Sequence, residues 1–269
     1  LSSGPFEFQS TRWDKLEAGI TITPDVIQVA AGRLYHGDSQ LRLETELPIQ
    51  NGKLDPVRPL RLSVNAEKTR LEGLLAALGR DIPLRGSLTG SIQLQGSLEN
   101  ANGTGQVRLE HGTLYEEPFS ALSASIVVER SVYHLNDVTW AMGKGLARGT
   151  VEIDYPARQF RLGLSGGGFN LNELRQLHAS LDIPSTDLQG LVEFNVRAQG
   201  WTNAIDLDAT AGIRDILVKN VPIGDMTGRL TRKGDQSKFS GRGEGPGGNI
   251  RFSGAKPSIA DGTFSLDCE

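Results

Sequence analysis

The chain has 269 residues, with 28 Lys and Arg against 32 Asp and Glu for a net charge of -4. It carries no block of like charge, which excludes charge-driven attraction to nucleic acid or to an anionic membrane surface. Its one cysteine, Cys268, excludes an internal disulfide and a cysteine-based metal site. Thirty-three glycines, twelve prolines and only two methionines favour many short strands joined by tight turns over packed helices.

Along the chain, apolar and polar residues alternate with period two, as in a strand with one dry and one wet face. The alternation places Leu41 and Leu43, then Leu60, Leu62 and Val64, on dry faces. LEGLLAALG (71–79) follows with Leu71, Leu74, Leu75 and Leu78 on one stripe, which predicts a short helix. Strand patterns resume at Leu88, Ile92 and Leu94, at Val107 and Leu109, and at Ala124, Ile126 and Val128. Val151 and Ile153, then Phe160, Leu162 and Leu164, continue them. LNELRQLHASL (171–181) predicts a second helix with Asn170 as its N-cap. Val192, Phe194 and Val196, then Ile205, Leu207 and Ile213, close the series. QNGK (50–53), ENANG (99–103), GKG (143–145) and GPGGN (245–249) supply turns. Continuous apolar runs, the mark of parallel strands covered on both faces, are missing, so the strands form antiparallel meanders.

The chain also repeats itself. LRGSLTGSIQLQG (84–96) and LQGLVEFNVRAQG (188–200) share Leu, Gly, Gln and Gly at the same places, an offset of 104 (190 minus 86). The register runs on without a gap, pairing Leu109 with Ile213, Pro118 with Pro222, Ile126 with Leu230 and Phe160 with Phe264. An earlier partial copy, LRLSVNAEKTRLEGLL (60–75), matches FRLGLSGGGFNLNELR (160–175). Three units are expected: a partial first over 1–83, a second over 84–187 and a third over 188–269 that stops inside a strand, as an excised piece of a longer protein would.

Such a chain yields about twenty strands at roughly a dozen residues each, counting the turn, and two short helices cannot cover their apolar faces. A facing sheet, closure into a barrel, or a folded trough holding a ligand each solves the problem.

The order LxG, strand, QGS or QGW, then LEHGTLYEEPFSALSASI and GKGLARGTVEIDYPARQFRLGLSGGGFNLNELRQL, resembles the periplasmic repeat region of AsmA-like and TamB-like envelope proteins of Gram-negative bacteria. The resemblance runs from about Gly19 to the end and rests on the order of weak motifs. It implies that the strands curl into a long trough (a β-taco); with the residue pattern above, the expected fold is all-β, an elongated repeat of antiparallel meander strands with short helices near 71–79 and 171–181. It further implies a segment of a groove in the periplasm, anchored to the membrane through parts outside this sequence, that carries phospholipids between inner and outer membranes. The groove residues are then the dry-face set: Leu60, Leu62, Val64, Leu88, Ile92, Leu94, Val107, Leu109, Ile126, Val128, Val151, Ile153, Phe160, Leu162, Leu164, Val192, Phe194, Val196, Ile205, Leu207 and Ile213. No catalytic residue, cofactor or metal belongs to this reading. Its rival is an assembly module that pairs exposed sheet edges with an outer-membrane barrel protein.

Other signals carry less. GEGPGGN (243–249) and GKGLARG (143–149) precede no helix, so they are turns and not phosphate loops. His36, His111, His134 and His178 lack a second ligand at metal spacing, HGD (36–38) and HGT (111–113) suggest turns, and the Asn102-Gly103-Thr104 sequon falls in the expected ENANG turn.

Overall fold

Alternation of side chains translates almost entirely into strands. The computed structural model describes residues 2–8, 11–77, 82–174, 187–201, 204–256 and 263–268, and divides into two compact units. The first comprises residues 1–138 with 154–156. It holds β1 (Ser2–Ser3), β2 (Phe6–Phe8), β3 (Thr11–Trp13), β4 (Lys15–Ile22), β5 (Val26–His36), β6 (Ser39–Gln50) and β7 (Lys53–Leu54). It continues with β8 (Leu60–Arg70), α1 (Leu71–Ala77), β9 (Leu84–Ser97), β10 (Asn100–Leu114), β11 (Glu117–Glu129) and the start of β12 (Val132–Met142).

The second unit comprises residues 139–153 and 157–269. It takes the rest of β12, then β13 (Gly145–Asp154), β14 (Gln159–Asn170) and a 3-10 turn (Leu171–Glu173). After these come β15 (Leu188–Trp201), β16 (Ala204–Val218), β17 (Val221–Lys233), β18 (Gln236–Gly245), β19 (Gly248–Lys256) and β20 (Thr263–Cys268). In both units successive strands pair antiparallel, β4 to β6 and β8 to β11 in the first and β14 to β20 in the second, with no closure into a barrel. The fold is thus all-β and antiparallel, as the alternation requires.

The offset of 104 reappears in the backbone. β15, β16 and β17 begin at 188, 204 and 221, which are 104 beyond the starts of β9, β10 and β11 at 84, 100 and 117. Irregular conformations repeat with them: His111 (φ 51) answers to Asp215 (φ 55), and Tyr115 and Glu116 (φ 48 and 67) answer to Lys219 and Asn220 (φ 50 and 63). The left-handed region disfavours residues with a Cβ, so matched outliers mark matched turns and bulges.

Several expectations need correction. The helix expected over 71–79 spans Leu71–Ala77, its last two residues falling outside the described ones. The helix expected over 171–181 is only a 3-10 turn through Glu173, and residues 175–181 lie outside the described ones. Asn170 caps no backbone N–H; its amide donates to Glu173 Oε1 at 3.0 Å. The turn expected at 99–103 is confined to Leu98 and Glu99, so Asn102, Gly103 and Thr104 form part of β10. HGT (111–113) is a bulge inside β10, because His111 takes a left-handed conformation where the β9 register slips between Glu110 and Thr113. His178 lies outside the described residues.

Candidate functional site

Residues directly opposed in an antiparallel ladder project to the same side of the sheet. In the second unit this rule assembles rows that run across the strands. Leu164, Val196, Ala209, Leu230, Phe239 and Gly254 form one; Gly166, Phe194, Ala211, Gly228, Gly241 and Phe252 form the next; Phe169, Val192, Ile213, Met226, Gly243 and Ile250 form a third. β20 pairs antiparallel with β19 beyond these rows. On the opposite side the corresponding row reads Ser165, Asn195, Thr210, Arg229, Ser240 and Ser253. Along these rows one side is apolar and the other hydrophilic; the next row on the apolar side, Leu162, Ala198, Leu207, Arg232 and Ser237, turns polar at β17 and β18.

The first unit obeys the same rule. Leu16, Leu34, Leu41, Ala66, Gly90, Val107 and Ala124 share a row, beside Gly32, Leu43, Val64, Ile92, Gly105 and Ile126. A third row holds Ile20, Val29, Thr45, Leu62, Leu94, Gly103 and Val128. Thr45 belongs there because its hydroxyl is satisfied by the Arg61 carbonyl oxygen at 2.9 Å. The reverse side reads Glu17, Arg33, Arg42, Asn65, Ser91, Gln106 and Ser125.

The residues expected from alternation fall on these apolar sides. Leu60, Leu62, Val64, Leu88, Ile92, Leu94, Val107, Leu109, Ile126 and Val128 share that of the first unit. Phe160, Leu162, Leu164, Val192, Phe194, Val196, Ile205, Leu207 and Ile213 share that of the second. Val151 and Ile153 stand at two-residue spacing on the side of β13 that carries Ala147, which packs against Phe169. Alternation alone passed over Phe169, Met226, Leu230 and Phe239, which the registers add to the same face.

Cover is partial. In the second unit Phe169, 1% exposed, packs with Met142 and Ala147, and Trp140, Leu164, Val192 and Phe194 lean on this cluster. The 3-10 turn lays Leu171 and Leu174 over one end of the face, where Leu188 and Ile216 are buried with Val192, Ile213 and Met226 beside them. Away from that end the face opens: Leu230 is 39% and Ile250 42% exposed. In the first unit Ile20 is 40% and Ile22 71% exposed.

Among known family models, curated proteins and solved structures, the chain matches none.

The hydrophilic sides hold two hollows. That of the second unit, about 1100 Å³, is lined by strand triplets such as Glu193-Phe194-Asn195 and Thr227-Gly228-Arg229, whose outer members point to the polar side. Arg229 grips Asp208 beside it through two bonds, Nε at 2.9 Å and Nη2 at 2.6 Å. That guanidinium holds the Asp208 carboxyl below its usual range. The hollow of the first unit, about 1090 Å³, is lined instead by Glu44, Glu46, Gln93, Gln95 and Asn102. No group of three metal-ligating side chains occurs among the described residues, and no helix there is long and apolar enough to cross a membrane.

Proposed function

We propose that the apolar faces bind the acyl chains of phospholipids and let them slide from strand to strand, as a segment of a periplasmic conduit between inner and outer membranes. One observation carries this reading. Apolar residues line up across consecutive strands in three adjacent rows, perpendicular to the chain, while the reverse side is hydrophilic. A methylene removed from water gains roughly 0.8 kcal/mol, so tails leave a bilayer only for a wall that stays apolar along the route. Rows of Leu, Val, Ile, Ala and Gly supply such a wall without a specific pocket in which a lipid would stick. The resemblance to AsmA-like and TamB-like proteins supports the same reading.

Organic extracts of the purified protein, analysed by mass spectrometry, test it. Copurifying phospholipid is the expected result. A clean extract, together with failure to take up a fluorescent phospholipid from vesicles, would sink the proposal. Tight binding to an outer-membrane barrel protein in that case would favour pairing through sheet edges.

A further inference from the structure

Position 232 breaks the repeat. Shifted back by 104, Arg232 falls on Val128, which is 1% exposed on the apolar side of β11. Arg232 stands on the side of β17 that carries the apolar rows, at their polar margin: it opposes Leu207, which opposes Ala198 and through it Leu162, on one flank and Ser237 of β18 on the other. A guanidinium on an apolar surface costs free energy unless something polar meets it. Its Nε donates to the Gly234 carbonyl oxygen at 2.8 Å, and among the described residues no carboxylate forms an ion pair with it. Among the described residues neither terminal nitrogen donates a hydrogen bond.

The two ends of this face differ. Met226 lies at the end closed by Leu171, Leu188 and Ile216, and Arg232 lies six residues further along the same strand. Six residues of antiparallel strand span about 20 Å. One leaflet of hydrocarbon is about 15 Å deep, half of a bilayer core of about 30 Å. A pair of acyl chains laid along β17 from the closed end covers about 15 Å of that span and leaves about 5 Å for the glycerol ester region, which brings the phosphate to Arg232.

We infer that Arg232 is a phosphodiester site, holding a phospholipid with its headgroup at the β17–β18 turn and its tails pointing toward Leu171 and Leu174. The inference rests on the acyl-binding reading and adds a fixed orientation to it. A guanidinium suits the group because its planar fork donates two parallel bonds to phosphate oxygens. The first unit, with Val128 at the matched place, lacks this site.

The test uses the full chain, a dansyl-tailed phosphatidylglycerol and a diacylglycerol with identical tails. Wild type should bind the phosphatidyl probe about tenfold more tightly, the scale of a charge-assisted bond. Arg232→Gln should abolish that preference while leaving diacylglycerol affinity unchanged, which also reports an intact face. Arg232→Lys should restore part of it. A preference that survives in Arg232→Gln would overturn the site. So would inorganic phosphate that binds wild type through Arg232 without any headgroup preference, since the site would then serve a free anion. Failure of wild type to bind either probe would overturn the acyl-binding reading itself.

Discussion

The ring of Phe169 rests on that of Trp140, centroids 5.2 Å apart and planes inclined by 35°. Phe194 completes the triangle, 5.4 Å from Phe169 and 6.2 Å from Trp140. Aromatic contacts of this kind add to the area they bury, and Phe169 is 1% exposed. Phe169→Ala should lower the unfolding free energy by about 3–5 kcal/mol, as large-to-small changes in a tight core do. Urea denaturation measures it. A loss under about 1 kcal/mol would mean that the triangle is not the core of the second unit. Gly145 belongs to the same packing, because a Cβ there would overlap the Phe169 ring.

Phe194 is for this reason a poor probe of lipid binding: a carboxylate there would break the aromatic triangle as well as charge the face. Leu230 separates the two effects. It is 39% exposed, on the same face, between Ala209 and Phe239. Leu230→Asp should change stability by no more than about 1 kcal/mol, close to an ordinary surface substitution. It should nonetheless reduce uptake of a fluorescent phospholipid at least tenfold, since sliding tails meet an unpaired charge. Leu207→Asp, between Ala198 and Arg232, should act less strongly because the neighbouring guanidinium can pair with it. Unfolding of the Leu230 variant would show that the face is core and not a binding surface.

Which residues are dry was legible in the sequence because period two needs no knowledge of neighbours. Leu162, Val196 and Leu207 each announce their own face. Which dry residues line up was not legible, since a row depends on register, and register slips at bulges such as those at His111 and between Ile213 and Ile216. The spacing of Leu171, Leu174 and Leu177 imitates a helix, yet Leu171 and Leu174 serve to cover the end of a sheet from a single 3-10 turn. Arg232 escaped notice because a lone cation looks like the wet face; only comparison with Val128 and the Leu207 register place it on the dry one.

The paired bulges give a backbone prediction. Asp215 (φ 55) is held by its N–H, which donates to Asp225 Oδ1 at 2.9 Å, and His111 (φ 51) occupies the equivalent place. A left-handed backbone costs an L-residue about 1–2 kcal/mol, most of all when it is β-branched. Asp215→Val should therefore destabilise by about 1–2 kcal/mol, whereas Asp215→Gly should remain within about 0.5 kcal/mol of wild type. Thermal unfolding of both variants, with His111→Val and His111→Gly beside them, checks whether the two copies respond alike. Equal stability of the Val and Gly variants would remove the bulge as a conserved element of the repeat unit's geometry.

The Arg229–Asp208 pair sets an acid-side response. The hydrogen bonds from Arg229 hold the Asp208 carboxyl below its usual value of about 3.9, with the positive charges of Arg229 and Arg197 adding to the effect. A depressed carboxyl stabilises the fold fully above its unfolded pKa and loses that contribution as the pH falls through the folded value. The contribution should thus be intact at neutral pH and fade only below about pH 4. Asp208 is solvent-exposed, so the stability change will be small and salt-sensitive, and titration is the better readout. A carbon-detected NMR titration should place the Asp208 midpoint below that of an unpaired aspartate, and Arg229→Gln should return it to the ordinary range. An unchanged midpoint in that variant would show that the two-bond contact does not persist in solution, and the hollow beside it would then offer Arg229 to other anions.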